Sequence, residues 1–172
     1  MKYENYAARA QALFHQGYNC AQSVLLAFAD DLELGWETAA RLSSSFGGGM
    51  GRLREVCGAV SAMFMIAGLR CGYSSPADDE AKAAHYLRIQ QLASAFRERH
   101  QTILCRELLG LPDGADHPVP AQRTAQYYQS RPCAACIGDA ASIIAAYLAA
   151  QEDAPKEPAG PPSRGAEAPV PF

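Results

Sequence analysis

Across residues 6–148 the apolar side chains recur at spacings of three and four, and no stretch alternates apolar with polar residues over the length of a strand. A chain patterned this way folds as helices, so the expected class is all-α: a single-domain bundle of about six to seven helices. Its 172 residues, 49% of them hydrophobic, suffice to bury one ordinary core. Residues 56–69 are apolar on nearly every face, which places that helix at the centre of the bundle. They fall short of the roughly 20 residues needed to cross a bilayer.

Starts and stops divide the pattern. A first amphipathic helix over residues 2–16 ends at Gly17. Asn19 caps a second that begins near Cys20, with Val24, Leu25, Phe28 and Leu32 on its apolar side. A third occupies residues 36–46 and runs into Gly47-Gly48-Gly49-Met50-Gly51, a segment too rich in glycine for regular helix. The run from Ser75 through Pro76 to Glu80 starts a long helix reaching Arg99, whose His85, Ile89, Leu92 and Phe96 share one face. Residues 102–109 form a short helix around Cys105, residues 111–120 a loop, and the last helix begins at Pro132-Cys133 and continues through Ile137, Ile144 and Leu148. Proline and glycine accumulate from Gln151 onward, so residues 1–150 read as the folded domain and residues 151–172 as a disordered tail.

The formal net charge of −3 leaves no basic field for a nucleic-acid partner. The opening residues Met1 to Tyr6 contain no apolar signal segment and no span is expected elsewhere, so the expectation is a cytoplasmic protein with no membrane partner. The apolar excess admits a homodimer.

Six cysteines in such a chain do not read as a disulfide framework. Inert packing, metal or cluster ligation, and thiol redox chemistry are what they can serve. Cys20, Cys57 and Cys133 fall in the first turn of an expected helix and Cys105 in or near that of another, where backbone N–H groups and the helix dipole favour thiolate over thiol. Helix starts converging on one point would hold several thiolates, or a cluster with its sulfides. Cys133-Ala134-Ala135-Cys136 is the one compact motif, a C-x-x-C at a helix start that suits dithiol exchange. The glycine run can bring backbone close to such a pocket, which makes Gly48, Gly49 and Gly58 candidate cofactor-binding positions.

In their order along the chain these residues resemble the C-GCAxxG-C-C family. The matching passages are Gly17-Tyr18-Asn19-Cys20-Ala21-Gln22, then Phe46 through Gly51-Arg52 leading to Val56-Cys57-Gly58-Ala59-Val60, then Cys105-Arg106-Glu107-Leu108-Leu109-Gly110, and finally Cys133 preceding Asp139-Ala140-Ala141. The resemblance implies a small helical protein, of a kind common in anaerobic microbes, with four characteristic cysteines and a redox role. Some relatives are selenoproteins, and a similar domain occurs in a multihaem cytochrome for which an iron–sulfur site has been proposed. The four cysteines carry over as Cys20, Cys57, Cys105 and Cys133. Two departures stand out: Ala62 replaces the motif's last glycine, and Cys136, one turn past Cys133, can take the fourth role. No C-x-x-C-H for haem attachment is present, because Ile137 follows Cys136.

The leading expectation is a redox-active protein in which Cys20, Cys57, Cys105 and Cys133 line one pocket. They would ligate an iron–sulfur cluster or another thiophilic metal, or cycle with Cys136 as dithiols, with a redox partner protein as electron donor or acceptor. The alternatives are a structural zinc protein and a helical binding or assembly module with no cofactor. Arg52 and Arg54, beside Cys57, are placed to lower a thiol pKa, and Cys57→Ser is expected to cost more function than Cys71→Ser.

Overall fold

The computed structural model describes residues 5–153. Among them eight right-handed helices form an all-α bundle: α1 (Tyr6–His15), α2 (Cys20–Ala27), α3 (Trp36–Ser44), α4 (Gly58–Cys71), α5 (Asp79–His100), α6 (Cys105–Leu108), α7 (Ala125–Ser130) and α8 (Cys133–Asp153). The six-residue α7 has no apolar stripe in the sequence and was not expected. The tail assigned to residues 151–172 lies outside the described residues from 154 onward, and α8 itself continues past residue 150 to Asp153.

Helices α2, α4 and α8 pack on one another, with α1 against α2 and α8 and with α5 against α4 and α8. Their shared core holds Phe14, Phe28, Phe96, Leu25, Leu26, Met63 and Ile66 with almost no exposed surface. As the sequence implied, α4 is central. Helix α5 is buried only in its C-terminal half, at Leu92, Ala93 and Phe96, whereas His85 and Ile89 stay partly exposed. There the contacts are polar: Arg88 donates to the Cys71 carbonyl (2.8 Å) and the Tyr147 hydroxyl (2.6 Å). Among the described residues helix α8, not residues 56–69, is the apolar helix long enough to cross a membrane, with a mean hydropathy of 1.7 over residues 133–152, half of that stretch being buried in the bundle. Its seat between α1, α2, α4 and α5 accounts for that composition, as for any core helix.

Asn19 fixes where α2 begins. Its side chain accepts from the N–H groups of Ala21 and Gln22, while Gln22 accepts from the Asn19 N–H, a reciprocal cap. It also donates to the Ser44 carbonyl at 3.0 Å, tying the start of α2 to the end of α3. Asn19→Ala should destabilise the fold by about 1–2 kcal/mol, read from the denaturant midpoint at unchanged slope.

The glycine run departs from regular helix as expected, and in a specific way. Gly48, Gly49, Met50, Gly51 and Arg52 all have φ between 62° and 69°, a left-handed turn of backbone, and Arg54 follows at 64°. Glycine takes this conformation freely, but Met50, Arg52 and Arg54 are held there at a cost of roughly 1–2 kcal/mol each. The turn thereby delivers two arginines to one place.

Candidate functional site

Five of the six cysteines line a single cavity at one end of the bundle. Cys20, Cys57, Cys105, Cys133 and Cys136 surround a space of about 20 Å³, together with Gly49, Gly58 and Pro132. Cys71, at the end of α4, is not among the lining residues. All six cysteines carry free thiols.

Backbone geometry brings the sulfurs together. The Cys57 N–H donates to the Ile103 carbonyl (2.8 Å) and the Cys105 N–H to the Glu55 carbonyl (2.7 Å), flanking an antiparallel bridge between Val56 and Leu104. This short pairing holds the starts of α4 and α6 side by side. Gly58 then lets α4 approach α2: a Cβ built there would lie 2.6 Å from the Phe46 carbonyl oxygen, 3.1 Å from the Ala21 nitrogen and 3.3 Å from the Cys20 Cβ. Gly49, left-handed at φ 69°, similarly has the Cys105 Cβ 2.6 Å from the place of a Cβ. Gly58 and Gly49 thus form cavity wall, whereas Gly48 borders the outer space described below. Cys133 arrives as the first residue of α8, whose start is held by Gln11 of α1 through the Ala134 carbonyl (3.0 Å).

The expectation that a helix start turns a cysteine into a thiolate fails for Cys20, Cys57 and Cys105, all of which are raised, and where Cys133 is lowered the causes are Cys20 and nearby arginines rather than the helix start. Cys57 is the residue before α4 but makes no side-chain cap hydrogen bond; burial outweighs the lowering influence of the Ala59 and Val60 N–H groups and pushes its thiol up to about 12. Cys105 is also raised by burial, although Arg54 donates to its sulfur at 3.6 Å. Arg54 therefore acts on Cys105 rather than on its sequence neighbour Cys57. Cys136 is buried among apolar neighbours with His100 3.8 Å from its sulfur, and its pKa is raised.

Cys20 and Cys133 behave as a pair. Both line the sulfur cavity, and hydrogen bonding with Cys133 together with burial holds the Cys20 thiol well above an ordinary one. The same hydrogen bond, aided by the charges of Arg131, Arg123 and Arg54, outweighs burial at Cys133 and brings it down to about 7. They are also the two partly exposed cysteines of the five, the other three being buried.

The "Putative redox-active protein (C_GCAxxG_C_C)" family matches residues 18–147, most of the chain. The chain belongs to this family. All five cysteines that line the cavity fall within the residues matched to C_GCAxxG_C_C. No curated protein and no solved structure is significantly similar to the chain.

Four thiols on one cavity are a suitable donor set for zinc or an iron–sulfur cluster. Their placement does not meet that use as it stands. Among the described residues no three Cys, His, Asp or Glu side chains are grouped as needed to hold a metal ion. A space of about 20 Å³ has room for about one water molecule.

Sequence reasoning missed Arg123, Arg131 and Tyr127. The guanidiniums of Arg123 and Arg131 lie 4.9 and 4.5 Å from the Tyr127 ring centre, beside Cys133. Arg131 could have been noticed from its place two residues before a helix-start cysteine; Arg123 carries no such signal.

Proposed function

We propose that this redox-family protein works by thiol–disulfide exchange, with Cys133 as the attacking thiolate and Cys20 as the resolving thiol. The observation that carries this reading is that Cys20 and Cys133 are the two partly exposed cysteines on the sulfur cavity and that both also line the larger space that opens outside it. The Cys133 thiolate attacks one sulfur of a substrate disulfide, forming a mixed disulfide and releasing the other half as a thiolate. Cys20, giving up its proton, then attacks the Cys133 sulfur, closing a Cys20–Cys133 disulfide and releasing the second half. Two electrons pass to the substrate, which takes up two protons as it leaves as two thiols. A dithiol-bearing redox partner protein supplies the electrons that reopen the bond. Cys136, deeper and without a thiolate, stands outside the exchange, so the pair bridges α2 and α8 rather than following the C-x-x-C.

The test is the pH profile of alkylation on the reduced full-length chain under argon. Cys133 carboxamidomethylation should rise with pH to a plateau with its midpoint at about 7. A depressed acid is ionised above its folded pKa and loses reactivity as pH falls through it. Cys57, raised to about 12, should stay unlabelled throughout. A Cys133 midpoint near that of an ordinary thiol overturns the assignment.

The four motif cysteines on one cavity favour a second reading, a thiolate-held iron–sulfur cluster or zinc ion. It requires the sulfurs to rearrange around the bound group. Anaerobic purification with iron, zinc and acid-labile sulfide analysis separates the two: stoichiometric iron with sulfide, or stoichiometric zinc, displaces the exchange reading.

A further inference from the structure

Outside the sulfur cavity lies a second, larger space of about 220 Å³, with Cys20, Cys105 and Cys133 on its floor. Four arginines wall it: Arg52, Arg54, Arg123 and Arg131. Among the described residues its lining contains no carboxylate. The nearby Asp116 is shared between Arg52 (2.7 Å) and Arg54 (2.5 Å) through one oxygen. Neither Arg123 nor Arg131 has a carboxylate within ion-pair distance among the described residues.

Two N–H groups in this wall are left over. Arg54, with a side chain 3% exposed, has its Nε buried and without a hydrogen-bond partner, and so does Arg123 at one Nη. A buried guanidinium N–H with no acceptor is destabilising, because charged donors lose more on leaving water than neutral ones. The other Arg123 Nη donates to the Tyr18 carbonyl, and its plane lies over Phe14 and Tyr127, so the group is oriented before anything binds. An oriented, undercompensated cluster of guanidiniums over a reactive sulfur is built to receive an oxyanion.

We infer that this space seats a carboxylate or similar oxyanion carried by the substrate, so that the protein acts on small anionic thiols and disulfides. Arg123 and Arg131 bind the anion, the unpartnered N–H groups gain an acceptor, and the substrate sulfur is placed against Cys133. The substrate class rests on the exchange reading; the anion seat itself does not.

Two near-isosteric alkylating reagents test the seat without any redox step. The Cys133 thiolate displaces iodide from neutral iodoacetamide or from anionic iodoacetate, forming one S–C bond in each case. Both rates are taken on one protein at one pH, so that the thiolate fraction cancels in their ratio, and are referred to 2-mercaptoethanol in the same buffer. The iodoacetate-to-iodoacetamide ratio should exceed that of the small thiol by about tenfold, and the iodoacetate rate should saturate. Arg123→Gln should remove most of this excess in the ratio, from which any change in the Cys133 thiolate fraction cancels. A ratio equal to that of the free thiol overturns the seat, and so does a raised ratio that never saturates and vanishes in molar salt, since that is diffuse attraction only. A second arm compares 3,3′-dithiodipropionate with cystamine as disulfide substrates. Exchange with both at equal rates retains the thiol chemistry and overturns the anionic substrate class. A saturable iodoacetate preference with no Cys20–Cys133 disulfide from either compound retains the seat and overturns the exchange.

Discussion

Cys133→Ser should reduce the rate of disulfide reduction by this protein at least about a hundredfold, to background, because a serine hydroxyl stays protonated where the thiolate attacks. Cys20→Ser should fail differently. Its Cys133 still attacks, and the reaction stops after one event with the substrate half bound to Cys133, visible by mass as one adduct per chain. Cys20→Ala, which removes the donor that a serine hydroxyl would replace, should also raise the Cys133 pKa, since hydrogen bonding from Cys20 is the largest influence lowering it. The labelling midpoint would move up from about 7 toward the ordinary thiol value, and first-step attack at neutral pH would slow accordingly. Cys136→Ser separates this scheme from exchange within the C-x-x-C. Turnover within a few-fold of the unaltered protein is expected, because Cys136 is buried 2% exposed against His100 and holds its proton. If Cys136→Ser, and not Cys20→Ser, traps the adduct, the pair is Cys133–Cys136 and the α2–α8 bridge is wrong.

The helices were legible because their signals are local. Asn19 before Cys20, Gly17 after α1, the acids at the start of α5 and Pro132 before α8 act over a few residues and need no knowledge of the fold. The same local reading found the cysteines, since each helix start can be seen one at a time. Their convergence came from the resemblance to the family, because spacings of dozens of residues say nothing about distance in space. What chemistry each sulfur has was not legible either. A helix start lowers a thiol pKa and burial raises it, and only the packed structure says that burial wins at Cys57 and Cys105. At Cys133 the balance is tipped by Cys20, Arg131 and Arg123, of which two lie at least ten residues away along the chain. Arg54 shows the same limit: it is three residues from Cys57 in sequence, yet its guanidinium meets Cys105, because the left-handed turn at residues 48–52 redirects the chain.

The glycines of α4 permit a sharper test, since one substitution made twice in one helix should have opposite signs. Glycine inside a helix is normally less favourable than alanine by up to about 1 kcal/mol, from backbone entropy. At Gly68 a methyl group would meet nothing within 4 Å, so Gly68→Ala should stabilise the protein by about 0.5–1 kcal/mol. At Gly58 the same gain is overwhelmed. The new Cβ falls 2.6 Å from the Phe46 carbonyl oxygen and 3.1 Å from the Ala21 nitrogen, backbone atoms that cannot rotate aside. Gly58→Ala should therefore destabilise by about 2–4 kcal/mol, lowering the melting temperature by roughly 6–12 °C for a chain of this size. The effect should also reach the site. Relief of the clash moves the start of α4 away from α2, carrying Cys57 from Cys20 and disturbing the cavity that Cys20 and Cys133 line. The yield of the Cys20–Cys133 disulfide on titration with one equivalent of oxidant should fall in Gly58→Ala and stay unchanged in Gly68→Ala. Equal stability of the two variants would mean that α2 and α4 do not approach so closely at Gly58, and the packing that gathers the five sulfurs would need another account.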